Sequence, residues 1–524
     1  MIMSISVALI LGGIAAALTG QAGPVAETPL LELARAPLPE TAIDRVFTDA
    51  LRARGLDTAE RCSDEVFLRR VYLDVIGSLP EPSEARAFLG DQSPGKRGTL
   101  IEDLLAREEF ADYWAMKWCD VLRVKSEFPI NLWPNSVQAY HRWIRAALRA
   151  NMPYDEFARA LLTSSGSNFR EPPVNFYRAV QSREPSALAA AVALTFMGAR
   201  FDRWPEEREA AMAVFFSRLE YKPTAEWKEE IVCLNPSPCA PLTAILPDGT
   251  VLEIPADADP REYFAAWLLG PENEWFARNA ANRIWFWLMG RGLVHEPDDF
   301  RPDNPPVHPE LLAYLEGEFR SANYDLKHLY RLILNSGAYQ QSAIPREVSP
   351  EAEAYFACYP VRQLDAEVLC DALSWIGGSG ESYSSLIPEP YTFVPRYHRT
   401  IALADGSITS PFLEMFGRPA RDTGLLSERI NQPTDKQRLY LLNATDVQRK
   451  IEESPRLARM LRESRRSPDQ IIRNVYLTVL SRYPAEGELA SARAYAGSEG
   501  LAPRQAAADL VWALVNTKEF LYRH

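Results

Sequence analysis

SDEVFLRRVYLDVIGSLP, residues Ser63–Pro80, reads as one helix with both of its ends marked. Ser63 offers a side-chain oxygen to the first unpaired amides, and Asp64 and Glu65 place negative charge where the helix dipole is positive. Val66, Phe67, Val71, Tyr72 and Val75 then recur at helical spacing, and Gly77 and Pro80 end the run. The same grammar repeats along the chain. Ser93-Pro94 is a cap followed by proline at the first helical position, ahead of Leu100, Ile101, Leu104 and Leu105. Trp114, Trp118, Val121 and Leu122 form another apolar stripe, as do Val137, Tyr140, Ile144, Ala147 and Leu148, and also Phe157, Leu161 and Leu162. A small-residue helix is predicted over 187–196, with further helices over 263–288, 308–321, 325–334 and from 435 to the end. The fold class these patterns predict is mainly α.

One stretch breaks the pattern. Thr243–Ile254, TAILPDGTVLEI, holds two β-type runs around Asp248-Gly249, the residue pair that a tight hairpin turn favours. It divides the chain into a helical domain over 41–220, a connector with a small β-hairpin over 221–262, and a second helical domain over 263–524. Gly377 to Gly417 is rich in Gly, Ser, Pro and Tyr and reads as long irregular loops.

Bulk properties agree with this division. A chain of 524 residues exceeds one ordinary core, and 47% hydrophobic with 24% charged residues is a globular composition. A net charge of −13 excludes a general nucleic-acid binder, which needs a basic face. The apolar run at the start is shorter than the roughly 20 residues a membrane-spanning helix requires. Gly20 and Ala22 flank Gln21 as a cleavage site would, although the run is preceded by no Lys or Arg. The expectation is a signal peptide over 1–22, a Pro/Ala-rich tether over 23–40, and a secreted or periplasmic protein with no later transmembrane helix. A retained anchor is the alternative. None of the six cysteines forms C-x-x-C. Cys233 and Cys239 flank a short loop that a disulfide would close in an exported protein.

The densest chemistry lies in GRGLVHEPDDFRPDNPPVHPELL, Gly290–Leu312. His295, Asp298, Asp299, Asp303, His308 and Glu310 offer the imidazole and carboxylate donors of a divalent-metal site, with His295, Asp299 and His308 as candidate ligands. The spacing is not H-E-x-x-H. The favoured reading is structural: His308-Pro309-Glu310 starts a helix, the aspartates accept turn hydrogen bonds, and the prolines stiffen the segment. Upstream, the planar fork of Arg283 is a candidate for an anionic ligand, or for an ion pair with Asp298 or Asp299, which is preferred. Trp133, Tyr140, His141, Trp143, Phe169, Phe176 and Tyr177 concentrate aromatic rings in the first domain. Exposed, they would stack on sugars; their helical spacing favours burial. No G-x-S-x-G is present, and Gly95-Lys96 lacks the rest of a phosphate-binding loop.

Longer motifs resemble known families. Phe67–Pro80, Leu132-Trp-Pro-Asn-Ser-Val-Gln-Ala-Tyr-His-Arg-Trp-Ile144 and Pro173-Val-Asn-Phe-Tyr-Arg178 resemble the planctomycete cytochrome-type domain of unknown function. Asn282-Arg-Ile-Trp285, Gly290-Arg-Gly-Leu-Val294, Tyr339-Gln-Gln-Ser342, Leu364-Asp-Ala-Glu367, Ser410-Pro-Phe-Leu413 and Trp512–Phe520 resemble the planctomycete-specific domain that follows it. The resemblance implies an exported two-domain protein and assigns no activity. Many such chains carry C-x-x-C-H after a Gly-x-Arg. Here Gly198-Ala-Arg200 runs into Phe201-Asp-Arg-Trp-Pro205, so covalent c-type haem attachment is not expected. No cofactor is assigned, with a divalent metal the one considered. The expected function is a binding or accessory component for glycan or protein partners at the cell envelope. The alternative is a metal-dependent hydrolase of extracellular polymers using the loop from His295 to Glu310.

Overall fold

The helix read from Ser63 onward spans Asp64–Val75, and Ser63 Oγ accepts the Val66 amide at 3.2 Å. It belongs to a computed structural model that describes residues 31–33, 37–235, 237, 240–464 and 467–524. The expected signal peptide, much of the tether and Cys239 lie outside the described residues. The fold is mainly α, 53% helical with 6% strand. Among the described residues no helix is long and apolar enough to cross a membrane.

The arginines of the Ser63–Pro80 stretch show how the two halves of the chain meet. Arg69 and Arg70 are buried. Arg69 donates to the carbonyls of Val479 and Phe520, both at 2.9 Å, and Arg70 donates to those of Gln341, Tyr339 and His524. A guanidinium out of water needs such acceptors, and here they come from the far half of the sequence. The apolar core is equally shared. Trp114 lies 4.3 Å from Tyr330 and 5.5 Å from Trp287 between ring centres, and Trp118 lies 5.3 Å from Trp287. The segments 41–220 and 263–524 therefore interlock around one continuous core and do not stand apart as two globules.

The expected hairpin is present as β4 and β5. β1 is Gly166–Ser167, β2 Leu219–Pro223, β3 Glu230–Leu234, β4 Leu242–Ile245 and β5 Val251–Ile254. β4 and β5 pair antiparallel, with Ile245 opposite Val251. Asp248 Oδ1 accepts the Thr250 amide at 2.9 Å and Gly249 adopts φ +91°, the left-handed conformation that glycine tolerates. A second sheet, in the order β1-β3-β2, was not anticipated. Its outer strand is two residues long and joins across a long stretch of chain, Gly166 opposite Val232. β6, Arg362–Gln363, pairs with β7, Tyr522–Arg523.

One predicted helix divides. The run expected over 263–288 is two helices, Pro260–Leu268 and Phe276–Met289. Pro271 removes an amide donor at the break, and Asn273 Oδ1 restarts the chain by accepting the amides of Trp275 and Phe276, both at 3.0 Å. The helices Pro309–Ser321 and Leu326–Leu334 begin where their caps predict. The stretch from Gly377 to Gly417 is irregular apart from the single turn Thr400–Ala402 and the short helix Pro411–Met415.

Candidate functional site

The loop from His295 to Glu310 sends its candidate ligands to different partners. Asp298 is buried and bridges two segments: Oδ1 lies 3.3 Å from Arg283, and Oδ2 accepts the Leu426 amide at 2.7 Å. Burial raises its pKa against the pull of Arg283 and that amide. Asp299 and Asp303 both pair with Arg301, each at 3.1 Å. His295 is part-exposed, 3.9 Å from Glu296. Burial and the nearby Arg291 hold its pKa below the usual histidine range, against the opposing pull of Glu296. His308 sits at the N-terminus of its helix with its ring among Phe47, Tyr355 and Phe356, and Nε2 lies 3.0 Å from the Tyr355 carbonyl. Burial lowers its pKa although the Tyr355 carbonyl opposes the shift. Glu310 is exposed in the first turn after Pro309. Among the described residues no group of three or more His, Cys, Asp or Glu is arranged to hold a metal ion.

Arg283 is engaged in the same way. Its Nη1 donates to the Thr195 carbonyl at 2.7 Å and its Nη2 faces Asp298, with the side chain fully buried. It forms the preferred ion pair and offers no open fork to an anion. The loop also docks on the segment where a haem motif would follow. The Phe300 amide donates to the Gly198 carbonyl at 2.8 Å, and a Cβ at Gly198 would fall 2.7 Å from both Phe300 and Asn279.

Sequence reasoning missed a buried ionic network that joins the two halves of the chain. Four carboxylates, Asp74, Asp120, Asp365 and Glu367, are linked to six cations, Lys117, Arg362, Arg418, Arg421, Arg429 and Arg523. Asp365 is its hub. It lies 2.9 Å from both Lys117 and Arg523, and it accepts from Tyr113 Oη at 3.2 Å and Asn431 Nδ2 at 2.8 Å. Burial by itself would raise its pKa, but Lys117, Arg523 and Arg429 together hold it well below the usual carboxylate range. Burial lowers Lys117 to about 8, with Arg429 and Arg523 acting in the same direction and Asp365 opposing. Carbonyl dipoles offset the cationic surplus. Arg362 donates to Leu288 and Trp287 at the C-terminal end of Phe276–Met289, and Arg421 donates to Ala404 and Val124. This network is sealed from solvent, which suits it to holding the fold and not to meeting a substrate.

The aromatic residues singled out in the first domain divide. Tyr140, Phe176 and Tyr177 are fully buried, and Trp143 packs on Phe157 with ring centres 4.8 Å apart. Trp133 is different. Its ring lies 4.6 Å from that of Trp227 and 5.5 Å from that of Tyr391, and the last two are 6.0 Å apart. Trp227 is 59% exposed and Tyr391 46%. The three rings come from three distant loops: the entry to the helix Pro134–Arg149, the turn between β2 and β3, and the irregular stretch after Gly377. Trp133 holds φ +73°, ψ 146°, a conformation few residues besides glycine adopt and one costing about 1–3 kcal/mol. Glu127 fixes the neighbouring loops, accepting Ser385 Oγ at 2.6 Å and the Leu386 amide at 2.8 Å. Phe128, 80% exposed, stands at the tip of the same loop. One signal for Trp227 was legible: it stands between Glu226 and Lys228 in a strongly charged turn, where a core residue is not expected.

Comparison with known families finds two matches along the chain. Residues 260–496 match PSD1, described as Protein of unknown function (DUF1553), and residues 42–219 match PSCyt2, Protein of unknown function (DUF1549). Both resemblances read from the sequence are present, and in the same order. No curated protein and no solved structure matches the chain.

Proposed function

We propose that this chain, a PSCyt2 domain joined to a PSD1 domain, is an exported envelope protein that binds carbohydrate through Trp133, Trp227 and Tyr391. The observation that carries the reading is the convergence of these rings at the surface from three distant loops. Single exposed apolar side chains are ordinary, but a cluster of them marks an interaction surface, and here the chain also holds Trp133 in a strained backbone to complete the group. Aromatic faces stack on the C–H face of a sugar ring while its hydroxyls stay in water. The apolar run at the start of the sequence supports export. Nothing in the geometry favours the metal-dependent hydrolase, since Asp298, Asp299, Asp303 and His308 already have partners within the protein.

The test is a glycan array probed with the full-length protein and with Trp227→Ala. A tryptophan presents about 250 Å², so a sugar covering roughly 75 Å² of the exposed face contributes about 2 kcal/mol at 25 cal/mol per Å². Trp227→Ala should weaken binding by about thirtyfold with an unchanged melting temperature. Absence of binding to any glycan, or binding indifferent to Trp227→Ala, would refute the reading.

A further inference from the structure

One charged group at this site narrows the choice of ligand. Lys228 follows Trp227 in the β2–β3 turn, and its Nζ lies 5.2 Å from the Trp133 ring centre and 5.8 Å from that of Trp227. The carboxylates next in sequence are engaged elsewhere. Glu229 accepts Ser167 Oγ at 2.5 Å and Thr224 Oγ1 at 2.7 Å, while Glu230 pairs with Arg178 and Arg183. Among the described residues Lys228 has no ion-pair partner. The turn is also held in place. Lys228 adopts φ +63°, and its carbonyl accepts Asn168 Nδ2 at 3.1 Å. Asn168 is itself fully buried, bonded to Ser136 and to the Glu230 amide. Tryptophan and ammonium are therefore presented in a preset arrangement, which lowers the ordering cost of binding.

The angles between the rings carry the second half of the argument. Trp133 is inclined at 76° to Trp227 and at 58° to Tyr391. Coplanar rings would form a flat platform for the face of a packed, crystalline polysaccharide. Steeply inclined rings form a corner, which admits one chain whose other sides remain in water.

We infer that the site takes a single, soluble, acidic glycan chain, with one sugar ring on the exposed face of Trp227 and its carboxylate or sulfate on Lys228 Nζ. This rests on the carbohydrate reading above. The net charge of −13 opposes a polyanion at long range, and Glu226 and Glu389 are exposed beside Trp227 and Tyr391 in sequence. Charges beyond about 8 Å are largely screened at physiological salt, so contact with Lys228 decides selectivity and the binding is salt-sensitive.

The experiment is affinity electrophoresis of the full-length protein in gels containing polygalacturonate, dextran sulfate or neutral dextran, with co-sedimentation on microcrystalline cellulose alongside. One of the acidic polymers should retard the protein, the two arms separating a uronate from a sulfate ligand. Lys228→Gln should weaken that retardation by roughly tenfold or more, the range of a charge-assisted hydrogen bond. Raising salt to about 0.5 M should weaken the unsubstituted protein and leave Lys228→Gln little changed. Retardation by neutral dextran equal to that by the acidic polymers, or no effect of Lys228→Gln, overturns the acidic ligand and leaves the carbohydrate reading standing. Co-sedimentation with cellulose overturns the single-chain geometry. Failure to bind any of these polymers overturns the inference, and only the glycan array with Trp227→Ala then decides the broader reading.

Discussion

The buried network predicts an asymmetry between removing its anions and removing its cations. Asp365→Asn deletes the hub charge and leaves Lys117, Arg523 and Arg429 facing a neutral amide out of water. Breaking a buried pair by removing one partner costs about 3–5 kcal/mol, and here Lys117 loses its carboxylate while Arg523 keeps Asp74 and Arg429 keeps Asp120 and Glu367. The expected loss is therefore about 3–5 kcal/mol, a large part of the whole stability of many domains. Lys117→Met removes a cation from a network that holds six of them against four carboxylates. Asp365 keeps Arg523, Arg429, Tyr113 and Asn431, and methionine fills the space with little strain. Because Lys117 falls from 10.5 to about 8 on folding, the folded state binds its proton less tightly than the unfolded chain does. The penalty is fully present below pH 8, at about 3 kcal/mol, and disappears as pH rises through 10.5. Lys117→Met should therefore lie within about 1 kcal/mol of the unsubstituted protein at pH 7, or above it. Its advantage should shrink as the pH rises from about 8 toward 10. Urea unfolding followed by tryptophan fluorescence at neutral and alkaline pH measures both quantities. If Lys117→Met proves as damaging as Asp365→Asn, the account of a cationic surplus is wrong.

Acid should weaken the fold through its buried histidines. Burial lowers His141 to about 3 and His524 to about 4. The unfolded chain therefore takes up protons near pH 6.5 that the folded one refuses, and stability falls as pH drops below that value. At pH 5 each of the two should contribute a loss of about 2 kcal/mol, visible as a falling melting temperature; a flat profile between pH 7 and 5 would contradict it. In the loop from His295 to Glu310, Asp298→Ala should cost about 3–5 kcal/mol because it strands the buried Arg283 and the Leu426 amide. Asp303→Ala, which breaks an exposed pair, should stay within about 0.5 kcal/mol. Chemical denaturation of both variants decides, and equal effects would mean that the loop's carboxylates are not divided between core and surface. Elemental analysis of protein purified without chelators tests the loop for metal; a stoichiometric divalent ion lost in His308→Ala would overturn its structural reading.

What the sequence made legible, and what it hid, follows from the distance over which each feature is determined. Helix starts are local: Ser63 before Asp64, Asp325 before Leu326 and His308 before Pro309 each need only their own next turn, and each begins a helix as read. The break at Gly270-Pro271 was also local, and the apolar series on either side obscured it. By contrast, nothing local marks Arg69, Arg70 and Lys117 as buried, since a charge on a helix normally faces solvent. They are buried because their partners arrive from far along the chain: Lys117 meets Asp365 across 248 positions, and Arg69 meets the Phe520 carbonyl across 451. The loop from His295 to Glu310 errs in the opposite sense. Its carboxylates and imidazoles are dense in sequence, yet in an irregular segment neighbouring side chains leave in different directions, and Arg301 alone draws in two of the acids. Density along the chain is thus a poor guide to density in space when no regular element carries it. Trp133, Trp227 and Tyr391 make the complementary case, since rings from three loops meet although no window of sequence contains more than one of them. A site of this kind is readable only through the residue that looks misplaced, and Trp227, between Glu226 and Lys228 in an exposed turn, is that residue.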